Sequence, residues 1–129
     1  MKSKSIDGMI TFTYYDNLEK AEKFYGEIMG FELVIDVDFA KFYKVTDNAH
    51  IGIVDGKRGS IKPTEDKPVM LTVIVNDIDA WYQYLKERDV DIFHPPETSS
   101  YLDMKTLLMK DTEGYVVEIL EFLTKPYGR

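Results

Sequence analysis

Few side chains in this sequence are suited to catalysis or to metal binding. The chain has no cysteine and only two histidines, His50 and His94. This composition excludes a thiolate metal site, a cysteine nucleophile and any site that takes three imidazoles from one chain. Glu118 is the strongest candidate, because it shares one face of the last strand-like segment with the apolar residues Val116 and Leu120. A carboxylate there would act as a general base, or would anchor an amine or hydroxyl group of a ligand.

Each of these residues also has a plainer interpretation. Glu118 is alternatively a carboxylate without a function of its own, and Lys105 or water compensates its charge. His50 begins a strand on the same face as Gly52, where it is a hydrogen-bond donor, an acid or base, a metal ligand, or simply a half-exposed histidine. His94 precedes two prolines, and we expect it on the surface. Together the histidines and Glu118 have the two-histidine, one-carboxylate composition of some metal sites, although nothing in their spacing requires one.

The overall composition disfavours several classes of partner. The 129 residues include 16 basic and 23 acidic residues, and the resulting net charge of −7 disfavours general binding to nucleic acid. No apolar run approaches the roughly 20 residues of a membrane-spanning helix, and residues 1–7 have no apolar core of signal-peptide length. We therefore expect a soluble, cytoplasmic protein with neither nucleic-acid nor membrane partners.

An internal repeat supplies the elements that must position the candidate side chains. Residues 9–54 and 69–121 each begin with an alternating strand, continue with a polar-capped helix and end with three strands. Apolar residues recur on one face of each predicted helix. Strands are predicted over residues 9–15, 32–37, 40–45 and 50–54 in the first repeat, and over residues 69–75, 90–93, 104–109 and 115–122 in the second.

The ends of helices and hairpins are marked as well. Asp16 followed three residues later by Glu19 resembles a capping box, and Gly30 is a typical glycine at the end of a helix. Asn48 and Gly114 occupy matching hairpin turns, where both are predicted to adopt positive φ.

Two polar segments interrupt the repeat. Residues 55–68 form the predicted linker, and its Lys57 and Arg58 are expected to be solvated. Residues 94–103 form a predicted irregular loop, in which Tyr101 is either a lid over a binding site or an exposed tyrosine.

The repeat predicts an α+β fold of two tandem βαβββ modules in a single domain, residues 1–129. Module one covers about residues 8–54 and module two residues 69–122, with a C-terminal tail at 123–129. One such module leaves a sheet face bare. Two modules are therefore expected to form a curved mixed sheet around a concave cavity, which is the default place for a ligand.

Strand alternation selects the residues expected to line that cavity. Phe12, Tyr14 and Tyr43 are predicted on the concave side, either to stack on a planar ligand or to pack in the core. Pairing across the hairpin at residues 111–114 is predicted to place Leu107 opposite Glu118, with Lys105 and Met109 as its diagonal neighbours on the same face. The full predicted ligand-binding set is Phe12, Tyr14, Tyr43, His50, Gly52, Met70, Thr72, Lys105, Leu107, Met109 and Glu118.

Two segments resemble a known family. The helix segment Asn17–Phe31 and the hairpin Asp111–Glu118 are similar to the signatures of the vicinal oxygen chelate superfamily. That superfamily contains glyoxalase I, bleomycin-resistance proteins, fosfomycin-resistance enzymes and extradiol dioxygenases, so the resemblance specifies a fold better than a function. It also implies a homodimer, because members often complete their sites at a two-fold interface.

The resemblance implies four metal-ligand positions, on the first and last strand of each module. In this sequence they fall on Ile10, Gly52, Met70 and Glu118, and only Glu118 offers a ligand for a hard or borderline cation. We therefore expect no metal cofactor. The preferred function is metal-free binding of a small molecule, an antibiotic or a metabolite. The alternative is an enzyme: a metal-dependent lyase, isomerase or dioxygenase with an atypical site, or a metal-free acid/base catalyst that uses Glu118. A domain that only interacts with other proteins is a third possibility.

Overall fold

The computed structural model describes residues 4–99 and 102–124. The elements follow the predicted order, a βαβββ unit twice. In module one they are β1 (Ile10–Tyr15), α1 (Leu18–Glu22), β2 (Glu32–Val37), β3 (Ala40–Thr46) and β4 (Ala49–Asp55). In module two they are β5 (Met70–Ile74), α2 (Ile78–Lys86), β6 (Asp91–Thr98), β7 (Met104–Lys110) and β8 (Val116–Phe122). The boundary between two compact units lies between Pro63 and Thr64, inside the predicted linker.

Module one is a four-stranded mixed sheet with its helix on one face. The strand order is β1-β4-β3-β2, and β1 runs parallel to β4 while the other neighbours are antiparallel. Alternate residues of β1 explain which face the helix covers. Thr13 and Tyr15 are buried, and the Tyr15 hydroxyl donates a hydrogen bond to the Tyr25 hydroxyl of the helix at 3.4 Å. Phe12 and Tyr14 consequently lie on the opposite face, called here the far face of the sheet.

Module two repeats this arrangement with the strand order β5-β8-β7-β6. Of the predicted apolar face of its helix, Ile78, Trp81, Tyr82 and Leu85, the structure buries Ile78 and Leu85 and leaves the two aromatic residues partly exposed. The sheet buries alternate residues of β7 and β8 on the helix side. Those with the least exposure are Leu107, Met109, Val117 and Ile119. No helix among the described residues has the length and apolar content needed to cross a bilayer.

The helix ends agree with the sequence except at one cap. The Asn17 side chain, not that of Asp16, accepts a hydrogen bond from the backbone N–H of Lys20 at 3.1 Å, so the predicted capping box is wrong by one residue. A π-helical segment, Lys23–Ile28, continues α1 to the predicted glycine, and Gly30 adopts a φ of 74°. Only glycine tolerates that conformation without a steric penalty from a Cβ atom.

Two connections differ from the predictions. β6 extends through Pro95 and Pro96, which were expected in a loop. The prolines are tolerated because β6 is an edge strand and its register with β7 shifts between His94 and Glu97. Gly114 has the expected positive φ of 93°, but Asn48 does not adopt a positive φ, so the prediction for Asn48 is wrong. In the hairpin that contains Asn48, Thr46 lies opposite Ala49 after a register shift.

Candidate ligand-binding site

The far face of module one carries a cluster of aromatic side chains. Sheet pairing aligns Phe12 with Gly52 and Gly52 with Phe42, so these three positions form one row across β1, β4 and β3. Tyr14, Val54 and Ala40 form the adjacent row. This row structure confirms that Phe12, Tyr14 and Gly52 share a face, as the alternation predicted.

Gly52 has a specific steric role in this cluster. A Cβ atom built on Gly52 would lie 2.4 Å from Cε1 of Phe12, well inside van der Waals contact, so the ring occupies the space above the glycine. The Phe12 ring meets the Phe42 ring edge to face, with 5.3 Å between centroids and 75° between planes. Phe12 nevertheless remains 41% exposed, which leaves much of its surface available for a ligand.

A cavity of about 330 Å³ lies against this cluster, and we call it the aromatic pocket. Its apolar wall includes Phe12, Tyr14, Phe42 and Val54. Its rim comes from the segment that follows β4, through Arg58, Gly59 and Ser60, together with Phe39 from the β2–β3 turn.

Arg58 lines this pocket, a position that the sequence did not predict, and its side chain is 52% exposed, in agreement with the expected solvation. Its guanidinium pairs with the Asp38 carboxylate at 2.5 Å and lies 5.0 Å from the centre of the Phe39 ring. The signal available in the sequence was the pair of glycines around it. A Cβ on Gly59 would approach Val54 Cγ1 to 2.6 Å, so the absence of a side chain there allows the segment to approach the sheet.

Tyr43 does not belong to the pocket, and its predicted place on the concave side is wrong. Pairing with Ile51 puts it on the helix face, where it is 1% exposed and its hydroxyl donates to the backbone oxygen of Glu22 at 3.5 Å. Burial, reinforced by the negative charges of Glu22 and Asp36, raises the pKa of Tyr43 to about 12. Phe42, its neighbour in β3, takes the place on the far face.

Module two presents a different far face, with a carboxylate in its centre. Met70 and Thr72 of β5 alternate onto this face, and Thr72 pairs with Glu118 of β8. The Thr72 hydroxyl donates a hydrogen bond to Oε1 of Glu118 at 2.9 Å. Because the carboxylate is only partly buried, it is available as a hydrogen-bond acceptor or proton acceptor for a small molecule.

The predicted neighbours of Glu118 on β7 are wrong by one residue. Leu108, not Leu107, lies opposite Glu118, while Leu107 and Met109 are fully buried on the helix side. Lys105 is also on the helix side, with its ammonium 3.0 Å from both carboxylate oxygens of Asp79, so Glu118 is not its partner.

The reason for this shift lies in the turn before β8. Oδ1 of Asp111 accepts hydrogen bonds from the backbone N–H groups of Glu113 and Tyr115, both at 3.0 Å. The Asp111 N–H also donates to the Tyr115 carbonyl oxygen at 2.9 Å. These bonds make the connection one residue longer than the tight turn we predicted, and a one-residue change in register moves every side chain to the other face.

The two histidines lie on different strands. His50 is half-buried in β4, where it pairs with Ile10 and Lys44. His94 lies in β6, with Nε2 3.8 Å from Oε2 of Glu97, and its buried Nδ1 has no hydrogen-bond partner among the described residues. Tyr101, the predicted lid residue, falls outside the described residues.

The positions implied as metal ligands offer a poor donor set. Ile10 and Gly52 have no donor atom in their side chains, Met70 has a thioether, and Glu118 has the one carboxylate. Within residues 4–99 and 102–124, no three acidic or histidine side chains are grouped so that they could share a metal ion. The residues present do not fit a catalytic divalent cation at these positions.

Comparison with known proteins gives one family and many similar folds. The family model described as "Glyoxalase/Bleomycin resistance protein/Dioxygenase superfamily" matches residues 10–119. The metallothiol transferase FosB of Staphylococcus haemolyticus is 24% identical over 119 residues, which cover 88% of this chain and 83% of the relative.

Solved structures confirm the predicted fold at low sequence identity. A lactoylglutathione lyase from Agrobacterium tumefaciens aligns over 100% of both chains with a TM-score of 0.74 and 20% identity. TioX from Micromonospora sp. ML1 aligns over 91% of this chain and 99% of its own, with a TM-score of 0.73 and 17% identity. At these identities the similarity establishes the architecture of the chain.

Proposed function

This chain belongs to the glyoxalase/bleomycin resistance protein/dioxygenase superfamily, and we propose that it is a small-molecule binding protein whose ligand packs in the aromatic pocket of module one. The observation that carries this proposal is the Phe12–Gly52–Phe42 row beneath a cavity of about 330 Å³. Ligand sites are typically clefts of roughly 300–1,000 Å³ that combine aromatic walls with a few polar groups. The pocket has this volume and this lining.

The exposure of the aromatic rings supports binding over a purely structural role. A phenylalanine used only for core packing is normally buried, whereas Phe12 keeps 41% of its surface exposed. Because the adjacent Gly52 has no Cβ atom, an edge of the Phe12 ring occupies that space against the sheet. A planar ligand would gain apolar contact and ring stacking there.

Metal-free binding agrees with the donor set. The related FosB proteins are named metallothiol transferases, but three of the four implied ligand positions in this chain cannot bind a hard cation. We infer that ligand binding here depends on side-chain contacts alone. Binding in the presence of a chelator should therefore equal binding in its absence.

A second candidate is an enzyme that uses Glu118. The observation that favours it is the position of this carboxylate, which the Thr72 hydroxyl orients on the far face of module two. The similarity to FosB over 88% of the chain also keeps group transfer and the other metal-dependent activities of the superfamily as alternatives. Under this alternative, Glu118→Gln abolishes turnover and leaves substrate binding unchanged.

The binding proposal is tested with a neutral planar probe, 2-naphthamide, by isothermal titration calorimetry. We expect binding to the natural protein and at least a fivefold loss of affinity in Phe12→Leu, because the flat ring surface is removed. Phe93→Leu is the matched control, since Phe93 is a phenylalanine of similar exposure, 47%, on β6 of module two. Equal affinities in all three proteins, or no binding to any of them, would overturn the proposal.

A cytoplasmic location and a homodimer, both expected from the sequence, remain proposals. Sedimentation velocity of the full chain tests the second: a single species of 15.0 kDa would exclude the dimer.

A further inference from the structure

The rim of the aromatic pocket differs chemically from its floor. Among the described residues that line this pocket, Arg58 is the one that carries a charge, and the remaining lining groups are apolar or neutral. We propose that the ligand is a planar apolar molecule with one carboxylate, and that Arg58 binds this carboxylate in place of Asp38. The inference rests on the proposed function, because it specifies the chemical class of the ligand at the same site.

The backbone holds Arg58 at the rim. The N–H groups of Arg58 and Gly59 both donate to the carbonyl oxygen of Asp55, at 3.1 and 2.9 Å. The Lys57 N–H donates to the Asp55 carboxylate at 2.9 Å. Three backbone N–H groups of the turn therefore donate hydrogen bonds to Asp55, at the end of β4. A guanidinium at the end of such a turn is positioned before a ligand arrives, which lowers the ordering cost of binding.

Two interactions orient the guanidinium without burying it. It lies 5.0 Å from the centre of the Phe39 ring, and Phe39 is itself part of the pocket lining. Its side chain remains 52% exposed. A guanidinium has five N–H donors, and the described contact with Asp38 uses Nη1. The planar group therefore retains donors for a second carboxylate.

Asp38 is suited to be displaced. Its side chain is 84% exposed, and it is not part of the pocket lining. The hydrogen bond and charge of Arg58 lower the pKa of the Asp38 carboxyl, so this partner is ionised at neutral pH. Exposed ion pairs contribute little to stability, so exchanging one carboxylate for another has a small cost. A ligand carboxylate would form the same pair and would add the apolar contacts of the pocket floor.

The test compares two probes of the same shape, 2-naphthoate and 2-naphthamide, by isothermal titration calorimetry at low ionic strength. We expect the natural protein to bind the anion more tightly than the amide. Arg58→Met should lower the affinity for the anion roughly tenfold, about the value of one charge-assisted hydrogen bond, and leave the affinity for the amide within twofold. Lys57→Met is the control, because it removes the same charge from the neighbouring residue, which does not line the pocket.

Asp38→Asn provides an independent variant with the opposite expected sign. It removes the competing carboxylate and should raise the affinity for 2-naphthoate several-fold, with no change for 2-naphthamide. Thermal unfolding of each variant shows whether it is folded before it is titrated.

The outcomes separate this inference from the proposed function. If both probes bind equally and Arg58→Met changes neither affinity, the carboxylate class is wrong, and binding in the aromatic pocket stands. An equal loss for the anion in Lys57→Met would show a general charge effect and would also overturn the inference. If neither probe binds, both proposals fail.

Discussion

The Phe12 ring occupies the space that a side chain at Gly52 would need, with Cε1 only 2.4 Å from an ideal Cβ position. This relationship links one of the implied metal-ligand positions to the aromatic pocket. In place of a metal-binding side chain, the position holds a glycine that leaves room for a ring. At this position the far face of module one therefore presents an apolar ring.

Gly52→Ala should therefore impair binding more than stability. The methyl group must displace the Phe12 ring, which is partly exposed and free to move outward, so we expect a loss of about 1 kcal/mol or less in the free energy of unfolding. The affinity for 2-naphthamide should fall at least fivefold. Urea denaturation and calorimetry measure the two quantities.

The control for this variant is Gly8→Ala, because a Cβ on Gly8 meets no atom within 4 Å. It should change neither quantity. A Gly52→Ala protein that binds the probe normally would show that the position of the ring is unimportant.

The register of β7 and β8 predicts that alanine substitution of two adjacent leucines lowers the stability of the protein by very different amounts. Leu107 is fully buried against the helix side, whereas Leu108 is partly exposed opposite Glu118. Leu107→Ala should lower the free energy of unfolding by about 3 kcal/mol, since it leaves a cavity in the core. Leu108→Ala should cost about 1 kcal/mol or less. Urea denaturation of both variants checks the register, and the reverse order of costs would contradict it.

The raised pKa of Tyr43 leads us to expect a loss of stability at alkaline pH. Its pKa in the folded protein is about 12, above the ordinary value of 10.0, because burial disfavours the phenolate. The unfolded chain therefore loses this proton first as the pH rises. The contribution is fully present below about pH 10 and is lost between about pH 10 and 12, at up to about 1.4 kcal/mol per pH unit.

Tyr43→Phe removes this contribution, so its free energy of unfolding should decline less steeply between pH 9.5 and 11.5 than that of the natural protein. The two proteins differ only at this side chain, so the difference between their curves reports the contribution of Tyr43. Urea denaturation at a series of pH values measures both curves, and parallel curves would exclude the predicted linkage.

Glu118 should prove dispensable for folding. Glu118→Gln keeps the shape of the side chain and an oxygen acceptor for the Thr72 hydroxyl, so the free energy of unfolding should change by less than about 0.5 kcal/mol. Glu118→Leu loses the acceptor, but water can replace it at this partly exposed site, and we expect a cost below about 1 kcal/mol. A loss above about 2 kcal/mol in either variant, measured by urea denaturation, would identify Glu118 as a structural residue.

Local patterns were sufficient to predict most of the elements. The alternation of β1 and β8, the apolar faces of both helices and the glycine after the first helix depend on neighbours a few residues apart in the chain, and the structure contains all of them. Phe12 and Tyr14 could be assigned to one face for the same reason, because they lie two residues apart in β1. Side-chain direction alternates strictly along a strand, so one correct assignment fixes the others.

The errors arose where a choice depends on contacts between distant segments. Phe42 and Tyr43 are adjacent aromatics in β3, and alternation alone cannot say which of them meets the helix. Pairing of Phe42 with Gly52 makes that choice. In module two, the hydrogen bonds to Asp111 lengthen a turn by one residue and move Leu107 from the predicted pocket to the core.

The sequence by itself determined two βαβββ modules, their order and the parity within each strand, because these follow from short-range periodicity. The tertiary structure decided which parity faces the helix, and it brought Arg58 from a predicted solvated linker to the rim of a pocket. Such choices depend on packing and hydrogen bonds between residues far apart in the chain. Where adjacent residues are both large and aromatic, as Phe42 and Tyr43 are in β3, the local pattern does not select the face, and a one-residue difference reverses every side chain of the strand.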